Sequence, residues 1–97
     1  MAGRLTHEAF EPHLKKLFRF KGARPALRLE QVEVKDHAPL PGLDYNAFSL
    51  IFSGPRDAVL PEGLYTAEVE GGPSFEFYIM PIHTVARDRQ DYQAVFN

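Results

Sequence analysis

The side chains best suited to metal binding in this sequence are its four histidines, which are His7, His13, His37 and His83. The first two are six residues apart, whereas two imidazoles share one helix face at a spacing of three or four residues. A zinc site would need ligands from distant segments, for example Asp36, His37, His83 and Asp88, and no motif specifies that they converge. Because the chain also contains no cysteine, we predict no metal site and no cofactor.

Acid–base or nucleophilic catalysis would need paired carboxylates or an activated hydroxyl. Glu68 and Glu70 lie two residues apart, which on a strand places both on one face, and we interpret that face as the solvent side of a sheet. The serines lie in no G-x-S-x-G motif, and the glycines match no G-x-x-x-x-G-K-[ST] motif. We therefore predict no catalytic residue and a protein that is not an enzyme. A hydrolase with a divergent metal site stays an alternative.

Length and charge limit the partners that this chain can have. Its 97 residues are enough for one domain with one core, and 11 basic against 13 acidic residues give a net charge of -2. The basic segment HLKKLFRFKGAR also contains apolar residues that suit a core, so we expect no nucleic-acid binding. We find no segment typical of a signal peptide or a membrane span. We expect a cytoplasmic location, with export by another route if the protein joins an external assembly.

The hydrophobic pattern predicts a short N-terminal helix followed by strands. Thr6 is a suitable N-cap, and the helix extends over about residues 6–16, where Pro12 can divide it into two half-turns. From Leu17 onward apolar residues alternate with polar ones, which is typical of strands; the ranges are about 17–21, 26–34, 47–53, 64–70, 74–82 and 91–96. No connection suits a helical crossover, so we predict a small antiparallel six-stranded barrel or two-layer sandwich with the helix at one end.

Three details of the pattern predict how the core is built. Leu29 and Val32 have opposite parity, so we predict a β-bulge between Glu30 and Val32. We interpret residues 54–63 as one connection between adjacent strands, with Leu60 folded back onto the apolar edge. The phenylalanines that we place in the core are at least Phe48, Phe52, Phe75, Phe77 and Phe96.

Outward-facing apolar residues indicate binding as the function class. Four of them lie on predicted strands and are candidates for a patch that contacts a partner: Ile51, Tyr78, Met80 and Val95. The alternative is that the N-terminal helix covers these positions. The closing segment DYQAVFN offers a second route, since it lacks the proline or lysine that discourages pairing at an open edge.

A small-molecule or carbohydrate-binding barrel is the alternative function. Aromatic rings and a guanidinium group are suited to stacking on a ligand and to hydrogen bonding with it. The residues assigned to this alternative are Tyr45, Arg56, Tyr65 and Tyr78.

The segment FSLIFSGPRDAVLPEGLYTAEVEGGPSFEFYIMPI and the closing YQAVFN resemble a bacterial family of β-rich domains of unknown function. The family pattern is F-S-L-x-F-x-G-P, then L-P-x-G-x-Y, then V-P-I, then Y-x-A-V-F-N. It matches residues 48–97 closely and the N-terminal half loosely; Met80 replaces the usual valine, and HTVARDRQD replaces a glycine-rich turn.

Members of this family are often encoded near proteins that resemble phage tail-collar proteins. The resemblance therefore implies an accessory or structural part in a phage-tail-like or surface assembly, and it carries no catalytic residue. We expect a non-enzymatic interaction or assembly module that binds a protein partner or a second copy of itself.

Overall fold

A computed structural model describes residues 5–34 and 47–96. Tyr45, Asp36 and His37 lie outside the described residues. The elements are helix α1 (His7–Phe10), a 3-10 helix (Glu11–His13), and strands β1 (Leu17–Phe20), β2 (Ala26–Val34), β3 (Phe48–Gly54), β4 (Gly63–Val69), β5 (Ser74–Pro81) and β6 (Gln90–Phe96). Each strand begins and ends within one residue of the bounds that the alternating pattern predicts.

The six strands form a closed barrel in the order β1-β2-β3-β6-β5-β4, and every neighbouring pair is antiparallel. The predicted fold class is therefore confirmed, and of its two forms the barrel is the one observed. The interpretation of the closing segment as an open edge is wrong, because β6 has β3 on one side and β5 on the other. Its pairing with β5 is short, however, and consists of Met80 with Gln93 and Pro81 with Tyr92.

Phenylalanine rings fill much of the barrel interior. Phe52 packs edge-on against Phe18 at 5.2 Å between ring centroids and stacks on Phe77 at 5.8 Å. Phe48, Phe52 and Phe77 are buried as predicted, whereas Phe75 and Phe96 lie partly buried against the core. The period-two alternation of each strand thus supplies one continuous apolar interior.

β2 contains a bulge that keeps its apolar side chains on the inner face. Leu29 pairs with Phe52, and Gln31 pairs with the preceding residue, Ile51, so Glu30 is the extra residue. The prediction of a bulge is confirmed, although it lies one residue earlier than predicted. Glu30 and Gln31 consequently both face outward, and Val32 returns to pack against the core.

The N-terminal helix is shorter than the predicted range of 6–16. It ends at Phe10 and continues as a 3-10 turn with Pro12 in its first positions, because proline cannot donate the next helical hydrogen bond. Only Phe10 is buried, and Leu14 and Leu17 stay exposed. The Phe10 ring lies 4.6 Å from Phe75 and 5.5 Å from Phe96 between centroids, so it fills one end of the barrel.

The connection over residues 55–62 differs from the prediction that it joins adjacent strands. It does not join adjacent strands, because β6 and β5 separate β3 from β4 in the barrel. Instead it brings the buried Leu60 to the core and to Tyr92, and the backbone N–H of Leu60 donates to the Tyr92 hydroxyl at 2.8 Å. Burial raises the pKa of Tyr92. Leu60, from the 55–62 connection, and Phe10, from helix α1, thus complete the core.

Replacing the Phe10 ring tests whether this short helix stabilises the barrel. Phe10→Ala should lower the free energy of unfolding by about 3 to 5 kcal/mol, because it removes a fully buried ring and leaves a cavity. Leu14→Ala is the control, and it should cost less than about 1 kcal/mol because Leu14 is exposed. Urea unfolding followed by circular dichroism measures both. Equal effects of the two substitutions would contradict the assignment.

Candidate functional site

The outer surface of β2, β3, β6 and β5 carries one row of directly paired residues. Gln31 pairs with Ile51, Ile51 with Gln93, and Gln93 with Met80. Ile51 and Met80 are half-buried and lie on either side of Gln93. The structure therefore brings two of the predicted patch residues close together on one face.

The other two predicted patch residues lie two positions further along the same strands. Val95 is two residues beyond Gln93 on β6 and is 44% exposed, and Tyr78 is two residues before Met80 on β5 and is 46% exposed. Side chains two residues apart share a face of a strand, so these residues extend the surface formed by the row. The N-terminal helix leaves Tyr78 and Val95 exposed, because its buried residue Phe10 packs on inward-facing rings.

Leu64 belongs to the same surface and was not among the predicted residues. It pairs with Tyr78 across β4 and β5 and is 63% exposed. The alternating pattern of β4 predicts this outward position, because Leu64 is adjacent to the inward-facing Tyr65. We define the outer apolar face as Ile51, Leu64, Tyr78, Met80 and Val95.

A second feature lies beside Ile51, and we call it the charged cleft. It has a volume of about 280 Å³. Five charged residues line it, Lys15, Arg28, Glu30, Arg89 and Asp91, and the uncharged Gln31 and Ile51 complete its lining. Arg28 pairs with Ser53, and Ser53 pairs with Asp91, so β2 and β6 supply charges on either side of β3. Sequence reasoning did not identify this cleft, because its members are dispersed along the chain.

Glu30, the extra residue of the bulge, is the acceptor at the centre of this cleft. Lys15 Nζ donates to its carboxylate at 2.7 Å, Arg28 Nε at 2.8 Å and Ser53 Oγ at 2.5 Å. Burial by itself would raise the pKa of Glu30, but the hydrogen bonds from Lys15, Ser53 and Arg28 outweigh it and lower the pKa from 4.5 to about 2. The carboxylate is therefore ionised at neutral pH.

Arg89 and Asp91 form a second ion pair in the cleft. Arg89 Nε lies 2.8 Å from one carboxylate oxygen of Asp91, and Arg89 Nη2 lies 3.3 Å from the other. The hydrogen bond with Asp91 raises the pKa of Arg89, and the charge of Glu30 adds to this effect. The Arg89–Asp91 ion pair and Glu30 therefore line the same cleft.

The backbone at Lys15 is held in a left-handed conformation with φ of 70°. Two hydrogen bonds fix it there: Lys15 N–H donates to the Leu29 carbonyl at 2.7 Å, and Leu29 N–H donates to the Lys16 carbonyl at 3.1 Å. Such a conformation costs a residue with a side chain roughly 1 to 2 kcal/mol. This strained turn places the Lys15 ammonium group on Glu30.

Of the residues assigned to the alternative ligand site, the three that the structure describes are distributed over different parts of the barrel. Tyr65 pairs with Phe77 on the inner side and donates its hydroxyl to the Pro61 carbonyl at 2.6 Å, whereas Tyr78 faces outward and donates to Glu62. Arg56 donates to the Arg89 carbonyl and to Gln90 Oε1, both at 3.2 Å. Of these three described residues, only Tyr65 lines a pocket of about 310 Å³, which is also lined by Ala58, Val59 and Leu60.

Within residues 5–34 and 47–96, no group of three or more histidine, aspartate or glutamate side chains is arranged to hold a metal ion. Asp36 and His37, two members of the hypothetical zinc site, lie outside those ranges. In the same part of the chain, the helices are too short or too polar to span a membrane.

Comparison with known families identifies a match over most of the chain. The model of a family described as a domain of unknown function, DUF6916, matches residues 5–96. No curated protein and no solved structure matches the chain.

The lowered pKa of Glu30 makes stability depend on pH in a defined window. Because its folded pKa of about 2 lies below its ordinary value of 4.5, its stabilising effect is complete above pH 5 and is lost as pH falls towards 2. Glu30→Gln should lower the free energy of unfolding at pH 7 by about 2 kcal/mol, and this difference should shrink through the window. Glu33→Gln, an exposed position on the same strand, is the control, and urea unfolding at stepped pH is the measurement. A difference that does not vary with pH would contradict the assignment.

The left-handed backbone at Lys15 predicts that a glycine variant is more stable than an alanine variant at this position, which inverts their usual order. Lys15→Gly should be more stable than Lys15→Ala by about 1 kcal/mol, because both substitutions remove the ion pair and only glycine adopts this φ without strain. At Lys16, which does not have a positive φ, the order should reverse. Thermal unfolding of the four variants measures both differences. If the alanine variant were the more stable one at both positions, the assignment of backbone strain to Lys15 would be wrong.

Proposed function

This chain belongs to the DUF6916 family of domains of unknown function, and we propose that it is a non-enzymatic interaction or assembly module. It binds a protein partner, or a second copy of itself, through the outer apolar face. The observation that carries this proposal is the exposure of Leu64, Tyr78 and Val95 on neighbouring strands, beside the half-buried Ile51 and Met80. Contiguous apolar side chains on a surface favour burial against a partner.

The composition of the face supports protein recognition. Tyrosine is enriched at the centres of protein interfaces, because its ring buries a large area and its hydroxyl keeps a polar partner. Here the Tyr78 hydroxyl is held by Glu62, which fixes the ring in place before binding. Gln93 in the middle of the face supplies a side-chain amide for hydrogen bonds that set the register of a partner.

The barrel interior gives further support, since it is filled by its own side chains. Phe18, Phe52 and Leu50 are fully buried, and Phe10 and Leu60 complete the core. Barrels that bind a ligand internally enclose a cavity between their strands. A filled interior therefore favours recognition on the outer surface over ligand binding inside the barrel.

The wider context of the proposal is an accessory or structural part in a phage-tail-like or surface assembly. It follows from the resemblance of residues 48–97 to domains that are often encoded near tail-collar-like proteins. Such assemblies repeat contacts between subunits, for which a small barrel with a defined outer face is suited.

A small-molecule or carbohydrate-binding barrel is the second candidate. The pocket of about 310 Å³ beside Tyr65 favours it, because the pocket is mainly apolar and includes Arg24. Thermal shift with a carbohydrate and small-molecule set tests it, and a shift that Tyr65→Ala abolishes would support this candidate.

A matched pair of valines tests the proposed interface. Val95→Glu should weaken self-association, or binding to the product of a neighbouring gene, by about tenfold or more, since a charge would be buried in an apolar contact. Val59→Glu is the control, because Val59 is similarly exposed but lies on the 55–62 connection. Sedimentation equilibrium and isothermal titration calorimetry are the measurements. A wild-type protein that stays monomeric at high concentration and binds none of these products would overturn the proposal.

A further inference from the structure

We propose that the charged cleft is a binding site for a carboxylate. The exposed fractions of its side chains point to an anion: Lys15 is 66% exposed, Arg28 54% and Arg89 52%, whereas Glu30 is 19% and Asp91 17% exposed. The acids lie beneath the cations. A ligand approaching from solvent therefore meets positive charge, even though the protein as a whole is acidic.

The two acids hold the guanidinium groups in defined orientations. Glu30 binds Arg28 through Nε, and Asp91 binds Arg89 through Nε and Nη2. Of the five N–H groups on each arginine, these contacts use one on Arg28 and two on Arg89. The remaining terminal N–H groups are the donors that pair side by side with a carboxylate.

Orientation before binding increases affinity, because the ligand does not have to order flexible side chains. The three cations of the cleft are each anchored: Lys15 and Arg28 on Glu30, and Arg89 on Asp91. The strained backbone of Lys15 belongs to the same arrangement, since it positions the ammonium group over β2. Left-handed residues that are not glycine concentrate at functional sites.

The register of the strands keeps the cleft open between the two arginines. Arg28 on β2 and Asp91 on β6 both pair with Ser53 on the intervening strand. Ser53 is short, and its hydroxyl is directed to Glu30. The cleft volume of about 280 Å³ is enough for a small organic group.

The charge balance selects a monoanion. Lys15, Arg28 and Arg89 contribute +3 and Glu30 and Asp91 contribute -2, so the cleft carries a net charge of +1. One carboxylate neutralises it, whereas a phosphate dianion would bring excess negative charge towards two fixed carboxylates. Ile51 lines the same cleft and offers contact to an apolar group attached to the carboxylate.

The carboxylate can come from a free organic acid or from an acidic side chain of a protein. The chemistry is the same in both cases, and the experiment separates them. The cleft does not depend on the outer apolar face being an interface, so the two proposals can fail independently.

The test is a ¹H–¹⁵N NMR titration of the whole chain. Benzoate should give saturable shifts at the amides of residues 28–31, 51 and 89–91, whereas benzamide, its neutral analogue, and inorganic phosphate should bind at least about tenfold more weakly. A second arm compares the peptide acetyl-Leu-Glu-Leu-amide with its glutamine counterpart. Tighter binding of the glutamate peptide than of benzoate assigns the site to a protein carboxylate, and the reverse order assigns it to a free acid.

Two charge-neutral double variants identify the donors. Arg28→Gln with Glu30→Gln, and Arg89→Gln with Asp91→Asn, each remove an arginine together with its acid and leave the net charge of the cleft at +1. Each should weaken benzoate binding by about tenfold. Arg19→Gln, an exposed residue of β1 outside the cleft, should leave it unchanged, and the amide spectrum of each variant checks that it is folded.

The proposal is overturned by any of three results: benzoate shifts that do not saturate, phosphate binding that is tighter than benzoate binding, or double variants that bind benzoate like the wild type. Because the two double variants remove different arginines, loss of folding in one leaves the other to decide.

Discussion

The pairing of β1 with β4 is the contact on which the rest of this structure depends. It joins Phe18 to Val69 and Phe20 to Ala67, and it turns a six-stranded sheet into a closed barrel. All four of these side chains are buried, so the same pairing that satisfies the backbone hydrogen bonds of β1 also brings apolar side chains of distant segments together. Closure fills the interior with the protein's own rings. The outer surface then carries the outer apolar face and the charged cleft.

The bulge in β2 connects this closure to the chemistry of the outer surface. With uninterrupted alternation, Val32 would face solvent; the extra residue at position 30 returns it to the core. The same extra residue projects Glu30 outward, where Arg28, Ser53 and Lys15 bind its carboxylate. One irregularity therefore serves the packing of the core and also builds the charged cleft. This explains why the acid at the bulge lies partly buried among polar partners on the outer face.

The alternating pattern predicted much of the fold, because burial on one side of a strand leaves a period-two signal in the sequence. Strand bounds and the bulge follow from that signal alone. Strand order does not: β3 pairs with β6, which is distant in sequence, and the expectation that residues 54–63 join adjacent strands was wrong for this reason. Parity also identified most of the outer apolar face, although Leu64 was overlooked. The cleft was missed because the left-handed backbone of Lys15 and the pairing of Arg89 with Asp91 depend on tertiary contacts.

The outer apolar face and the charged cleft share Ile51, so they form one continuous surface. The charges of the cleft lie on and beside β2 and at the start of β6, and the apolar side chains continue from Met80 to Tyr78 on β5. In protein interfaces, buried apolar residues supply most of the affinity, whereas charges at the rim set orientation and association rate. A partner that places a carboxylate in the cleft can bring apolar groups onto Tyr78 and Val95 in only one direction. The strand register that closes the barrel therefore also gives its outer surface a charged side and an apolar side, a direction that a symmetric apolar patch would lack.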